Sequence, residues 1–311
     1  MGTRLRGKVA VITGGGRGIG RGIALLMAQE GAAVVVNDLG GEVSGGGGSA
    51  SAADTVVGEI KSAGGQAVAS YDSVADFAAA ENIVATAVKA FGHLDILVNN
   101  AGILRDRMIF NLSEEDWDAV IAVHLKGSFN CTRHATRQMR EQKSTGRIIS
   151  MSSTSGLYGN SGQANYGAAK DGIAGLTRVV SRDVGKYGIT VNAIAPAAAT
   201  RMTATVSQKA RDIRQQRGVA SMGSEARAAL PRPQLEPDDV APFATYLASD
   251  AAANINGQTF VVMGGIISLL NYPAPVRTIT APNRWTPEEI AALFPSTLGM
   301  DLVNPAPAQT E

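Results

Sequence analysis

Cysteine is almost missing from this chain of 311 residues, with Cys131 standing alone. One thiol makes neither an intramolecular disulfide nor a cysteine metal cluster, so nothing calls for an oxidising compartment. Histidine is scarce as well: His93, His124 and His134 lie far apart, and no metal site is expected. Net charge is missing, with 28 Lys+Arg against 27 Asp+Glu. That balance removes the electrostatic case for nucleic acid or for an anionic membrane. No apolar run approaches the roughly 18 residues that span a bilayer. The opening MGTRLRGKVAVITGGG also lacks the apolar core and small-residue cleavage site of a signal peptide. The expectation is a soluble, cytoplasmic protein whose partners are small molecules met at local sites.

What the chain does have is a 45% hydrophobic content arranged in short β-branched runs: VAVI (9–12), AVVVN (33–37), AVAS (67–70), DILVNN (95–100), RIISMS (147–152), ITVNAIA (189–195) and QTFVVMG (258–264). Continuous apolar runs mark strands covered on both faces. Their alternation with longer helical stretches predicts an α/β domain with a doubly wound parallel sheet. Ligands of such sheets sit beyond the carboxyl ends of the strands.

Three segments break the pattern. EVSGGGGSASAAD (42–54) reads as a flexible surface loop rather than a second phosphate site. Between Arg201 and Arg232, seven Lys/Arg face only Asp212 and Glu225, so 201–236 is expected to form a basic substrate lid. From Asn271 onward the chain holds seven of its twelve prolines. We therefore divide it into an α/β body, 1–270, and a proline-rich arm, 271–311, with one short helix at TPEEIAALF. There Thr286 caps, Pro287 takes the first helical position and Glu289 completes a capping box.

After the first strand comes TGGGRGIG (13–20), followed by a helix whose Ile23, Leu26 and Met27 share a face. Gly14, Gly18 and Gly20 permit a tight turn, with Arg17 and Ile19 between them, and bring backbone N–H groups against a pyrophosphate at a helix N-terminus. Asp38 closes the second strand, where an acid accepts from ribose hydroxyls and repels a 2′-phosphate. This favours NAD over NADP, although Arg17 argues mildly for the phosphate. Asp72 and Ser73 follow the third strand and are expected near the adenine. NNAG (99–102) follows the fourth, placing Asn99, Ala101 and Gly102 beneath the cofactor.

Tyr166 and Lys170 lie i, i+4 apart in NYGAAK and share one helix face. Gly167, Ala168 and Ala169 are read as leaving room for a ligand. A free phenol has a pKa of about 10, and lowering it by three units asks for roughly 4 kcal/mol. Lys170 together with an oxidised nicotinamide is expected to supply this, making Tyr166 the base that takes a hydroxyl proton. Ser153, thirteen residues earlier, is the candidate to hold the substrate oxygen, with Ser152 and Ser155 as competitors.

TGGGRGIG, NNAG, Ser153 and YGAAK, in this order and spacing, resemble the short-chain dehydrogenase/reductase family over residues 7–265. The resemblance implies a Rossmann-type single domain with a C-terminal extension, and a catalytic Ser153, Tyr166 and Lys170. It also implies that Tyr166 and Lys170 touch the cofactor, a Thr200 contact near the nicotinamide, and a homodimer or homotetramer. Two departures stand out: His124 occupies a position where the family usually has an asparagine that anchors a relay water, and the turn after Pro196 lacks the usual glycine. VVVNDLGG, YDSV, NNAGILRDRM, VHLKGSF and LYGNSGQANYGAAK narrow the resemblance to the (3R)-hydroxyacyl-CoA dehydrogenase subgroup, in which His124 is ordinary. That subgroup implies NAD-dependent oxidation of a (3R)-hydroxyacyl-CoA to a 3-oxoacyl-CoA. A hydroxysteroid or other secondary alcohol is the alternative substrate, and a non-catalytic cofactor sensor is the alternative of another class.

Overall fold

The computed structural model describes residues 2–198 and 235–305. Eight strands form one sheet in the order β3-β2-β1-β4-β5-β6-β7-β8. They are β1 (Val9–Thr13), β2 (Ala33–Asn37), β3 (Gln66–Ser70), β4 (Ile96–Asn99), β5 (Gly146–Met151), β6 (Ile189–Ala197), β7 (Thr259–Met263) and β8 (Ile266–Leu269). The first seven are parallel and β8 runs antiparallel to β7. Strand β8 has no counterpart among the apolar runs read from the sequence. Its signal was the Gly264–Gly265 pair between two apolar stretches, a hairpin pattern. As an edge strand it leaves Ile267 and Leu269 exposed.

Two cores explain why the strands are apolar throughout. Successive side chains of a strand point to opposite faces. Thus Ala10, Ile12, Val34, Val36, Ile96 and Val98 pack with Ile23, Met27, Val56 and Ile60 of α1 (Gly18–Gln29) and α2 (Ser51–Ser62). Val9, Val11, Val35 and Leu97 pack on the other face with α3 (Phe77–Phe91). That core also takes Cys131 and Met139 of a later helix, Gly127–Glu141. Truncating a fully buried Ile12 or Leu97 to Ala removes about 2–5 kcal/mol.

The chain runs outward from β1 to β3 and then returns to the other side of β1 to form β4, so β1/β4 is the switch point of the sheet and opens a crevice at the strand ends. After β4 come α4 (Glu114–Ile121), a π-helical turn (Ala122–Lys126) and α5 (Gly127–Glu141). After β5 come α6 (Thr154–Leu157) and the long α7 (Ala164–Val184). Helix α2 begins at Ser51, inside the stretch read as a loop, because Ala52, Ala53 and Val56 supply a buried face.

Residues 201–234 of the expected lid, and Thr200, lie outside the described residues. Leu235 is buried and Glu236 opens a capped turn, with its N–H donating to Asp239 Oδ2 at 2.9 Å, which leads into α8 (Ala241–Ala248). The chain divides into two compact units, and the first ends at Leu270. In the second, α9 (Pro287–Leu293) starts with the capping box: Glu289 N–H donates to Thr286 Oγ1 at 3.2 Å and Thr286 N–H to Glu289 Oε2 at 2.9 Å. Among the described residues no helix is long and apolar enough to cross a membrane.

Candidate active site

The glycine loop is locked to the turn after β4. Gly14 has φ +63°, and a Cβ there would sit 2.8 Å from Ala101 Cα. At Gly20 a Cβ would lie 2.1 Å from Gly14 O. The buried Thr13 hydroxyl donates to Val98 O at 3.2 Å and accepts from Asn100 N–H at 3.0 Å and Ala101 N–H at 3.2 Å. Asn100 Nδ2 donates in turn to Thr13 O and Gly14 O. What this holds in place is the start of α1, whose first turn carries no acidic residue and whose N-cap Arg17 makes no side-chain cap. The partial positive charge of that helix end is left for a ligand, and it suits a phosphate.

Asp38 lies at the end of β2. One carboxylate oxygen accepts from Gly16 N–H at 2.9 Å and the other from Gly40 N–H at 2.6 Å. A carboxylate has about four acceptor sites, so both oxygens can still take hydroxyl donors. Arg17 Nη1 donates to Gly41 O at 3.1 Å. Asp72 and Ser73 follow β3, where Asn37 Nδ2 donates to Asp72 O and Ser73 Oγ accepts from Ala75 N–H. The side chain of Asn99 turns inward: Nδ2 donates to Thr132 Oγ1 at 3.0 Å and Ser150 Oγ at 3.1 Å, bracing β4 against β5 and α5. These residues fit a dinucleotide by backbone donors, by an acid at the second strand and by the absence of competing negative charge on α1.

Ser153, Tyr166 and Lys170 meet where β5 ends. Lys170 is buried, with Nζ donating to Met151 O at 2.6 Å and standing 5.5 Å from the centre of the Tyr166 ring. Ser153 acts on the Tyr166 phenol in the direction that favours the phenolate, and its hydroxyl accepts from Ser155 N–H at 3.1 Å. This separates the three serines: Ser152 Oγ donates to Lys170 O at 2.8 Å, and Ser155 Oγ pairs with Asn160.

The electrostatics differ from expectation. Burial pushes the Tyr166 phenol up to about 12, against the lowering effect of Ser153 and with Asp106 adding to the rise. Burial also pulls Lys170 down to about 7. A lysine that pays so heavily for its own charge does little to offset the desolvation of a phenolate. The protein groups alone therefore keep Tyr166 protonated at neutral pH.

Residues 8–211 match the family described as short chain dehydrogenase. The chain belongs to that family. It is 44% identical over 302 residues to hydroxyacyl-CoA dehydrogenase ChsB1 of Mycobacterium tuberculosis, covering 93% of this chain and 88% of the relative. It is 56% identical over 200 residues to peroxisomal multifunctional enzyme type 2 of Drosophila melanogaster, covering 64% of this chain and only 33% of that longer protein. The crystal structure of a short chain dehydrogenase from Mycobacterium avium superposes with a TM-score of 0.79 at 44% identity, covering 95% of this chain and 96% of that one. The chain is thus an oxidoreductase of the short-chain dehydrogenase family, acting on CH–OH groups.

In this dehydrogenase His124 sits in the π-helical turn, buried and edge-on to Tyr166 with ring centres 5.2 Å apart. Its Nε2 lies 2.7 Å from Ile103 O and 3.0 Å from Ile103 N, while Nδ1 is buried with no hydrogen-bond partner among the described residues. Nε2 accepts Ile103 N–H only when unprotonated and donates to Ile103 O only when protonated, so the two contacts belong to different tautomers. Burial and Lys170 pull the imidazole down to about 3, so it stays neutral. Gly102 is glycine for this ring's sake, since a Cβ there would lie 2.3 Å from His124 Cε1.

The small residues between Tyr166 and Lys170 do not all face a ligand. Ala169 is fully buried, and Gly167 packs against Ser155 O of α6, where Gly156 comes so close that a Cβ would meet Asp171 N at 2.5 Å. Only Ala168 is exposed. At 100° per residue, a face shared by positions 166 and 170 cannot also hold 167 and 169.

Proposed function

We propose that this enzyme is an NAD-dependent (3R)-hydroxyacyl-CoA dehydrogenase, interconverting (3R)-hydroxyacyl-CoA and 3-oxoacyl-CoA. The observation that carries the substrate reading is the 44% identity, over nearly the whole of both chains, to a protein named hydroxyacyl-CoA dehydrogenase. The preference for NAD rests on Asp38, whose carboxylate sits beside the loop glycines, and on Arg17, whose guanidinium is engaged with Gly41 O.

Bound as the oxidised dinucleotide, the cofactor supplies the two-electron acceptor for the carbinol carbon and a positive charge beside the phenol. Tyr166 holds or takes the proton of the substrate oxygen. With its phenol at about 12, it is ready as the acid for reduction of a ketone and has to be activated as the base for oxidation. Ser153 holds the same oxygen by its hydroxyl. Lys170, anchored on Met151 O, fixes the side of the ring from which positive charge acts. The fully buried Asn165 accepts Tyr166 N–H on Oδ1 at 2.8 Å and sets the phenol's helix end in register.

The test is NADH or NADPH appearance with (3R)- and (3S)-hydroxyacyl-CoA of two chain lengths and with a 17β-hydroxysteroid. Turnover of the (3R) thioesters with NAD alone is expected. Steroid turnover with silent thioesters would move the substrate claim, and NADPH formation would move the cofactor claim. Tyr166→Phe is expected to lower turnover about 10²- to 10⁴-fold with NADH binding intact. Full activity in that variant would remove Tyr166 from the chemistry.

A further inference from the structure

Of the glycine-rich stretch between β2 and α2, the scheme so far uses only Gly40 and Gly41. The stretch is exposed, as a surface loop should be, yet it is fastened along its length. Gly40 N–H donates to Asp38 at 2.6 Å, Ser49 N–H to Leu39 O at 2.9 Å and Arg17 to Gly41 O at 3.1 Å. Leu104 N–H donates to Val43 O at 2.9 Å, and Arg105 Nε donates to Ser44 O at 2.9 Å. Gly45 packs against Ile103, where a Cβ would lie 3.0 Å from Cδ1. A segment that leaves β2 and is tied to the residues after β4 must pass the carboxyl end of β1, which lies between them. That end carries the glycine cradle.

Arg105 is where this segment meets the catalytic helix. Its Nε holds Ser44 O, and its Nη1 reaches Glu115 Oε1 at 3.2 Å and Asp116 Oδ1 at 3.4 Å at the start of α4. Its own carbonyl accepts Asn165 Nδ2 at 3.0 Å, and Asn165 also donates to Asp116 O at 3.1 Å while accepting Tyr166 N–H. Glu115 is largely exposed and Asp116 partly so, and the ion pairs themselves contribute little. What the guanidinium supplies is a rigid fork that joins the strap to the start of α4, which an ammonium cannot reproduce, while the link on to α7 runs through the Asp116 and Arg105 carbonyls that Asn165 holds.

We propose that residues 39–50 form a strap across the adenosine side of the cofactor crevice, and that Arg105 is the positioning residue that fastens this strap and ties it through Asn165 to Tyr166. The proposal rests on the dinucleotide reading above. Binding of the cofactor tightens the strap, and the strap in turn steadies the backbone that carries the phenol. Loss of Arg105 therefore weakens cofactor binding and also slows turnover at saturation.

Arg105→Leu keeps an apolar stem and removes the fork, and Arg105→Lys restores one donor. Three quantities are measured on the whole chain: NADH affinity by fluorescence, amide hydrogen exchange over 39–50 with and without NADH, and kcat at saturating cofactor and substrate. In the wild type, NADH is expected to protect the 39–50 amides. In Arg105→Leu, affinity falls about tenfold, the protection is lost and kcat drops severalfold, with partial rescue in Arg105→Lys. Wild-type affinity and protection in Arg105→Leu would overturn the strap, even if kcat fell. Should that variant not fold, Arg105→Lys gives the same reading on a smaller scale. Failure of the wild type itself to bind NADH would instead strike the dinucleotide reading.

Discussion

On the β1–β2 side of the crevice the working groups are backbone donors held in place by glycine geometry. On the β5–α7 side they are three side chains whose ionisation is set by burial. Apart from the Asp38 carboxylate, the demands of the first side are steric, and they are met by the absence of a Cβ, as at Gly14 and Gly20. The second side is the reverse, with a phenol pushed up, an ammonium pulled down and an imidazole held neutral within a few ångströms of one another. Binding here is bought with conformational freedom, and chemistry with desolvation.

The largest effect should come from removing the buried charge. Lys170→Met is expected to lower turnover roughly 10³-fold, since it removes the positive charge fixed beside the phenol and the cofactor. The same change should stabilise the fold. A lysine drawn down to about 7 from its usual 10.5 binds fewer protons folded than unfolded between those values, so wild-type stability rises as pH climbs through that window. The penalty below pH 7 is on the order of 5 kcal/mol. Urea unfolding at pH 6, 8 and 10 checks it: the variant should be more stable at pH 6, and the gap should narrow toward pH 10. An equal gap at all three values would mean that Lys170 is not strained by its charge.

The glycine side breaks differently. In Gly20→Ala the new methyl would meet Gly14 O at 2.1 Å and Asn100 Nδ2 at 2.5 Å, which forces the loop away from the NNAG turn. We expect NADH affinity to fall roughly 100-fold, about 3 kcal/mol, with no shift in the pH dependence of the residual activity. A titration of NADH fluorescence measures the first part and a pH–rate profile the second. A moved pH profile with intact affinity would erase the division between the two sides.

The contrast also explains what could be read in advance. The need for glycine at positions 14 and 20 was legible because a tight turn and a close backbone approach leave no alternative residue, and the strands were legible because both their faces are covered. The direction of the Tyr166 shift was not legible. Residue spacing places Lys170 beside Tyr166 but says nothing of how deeply the ammonium, held on Met151 O, is buried. The side chain of Asn99, turned into the β4–β5 seam, and the packing duty of Gly167 and Ala169 were hidden for the same reason: they depend on neighbours distant in sequence. Strand β8 was missed for a local reason, since a four-residue edge strand with outward apolar side chains has no alternation to detect.

The smallest effect tests whether the second side is governed by charge as well as by burial. Asp106 raises the Tyr166 phenol electrostatically, while its Oδ2 accepts Gln163 Nε2 at 2.8 Å, three residues before the tyrosine. Asp106→Asn keeps an acceptor oxygen for Gln163 and removes the negative charge, so the geometry should hold while the phenolate becomes easier to form. The limb of the oxidation profile that rises with pH should then move toward acid, by under about one pH unit, with cofactor affinity unchanged. A profile that stays in place would mean that desolvation alone sets the phenol. A profile that moves toward base would mean that the Asp106–Gln163 bond, rather than the charge, is what steadies the start of α7.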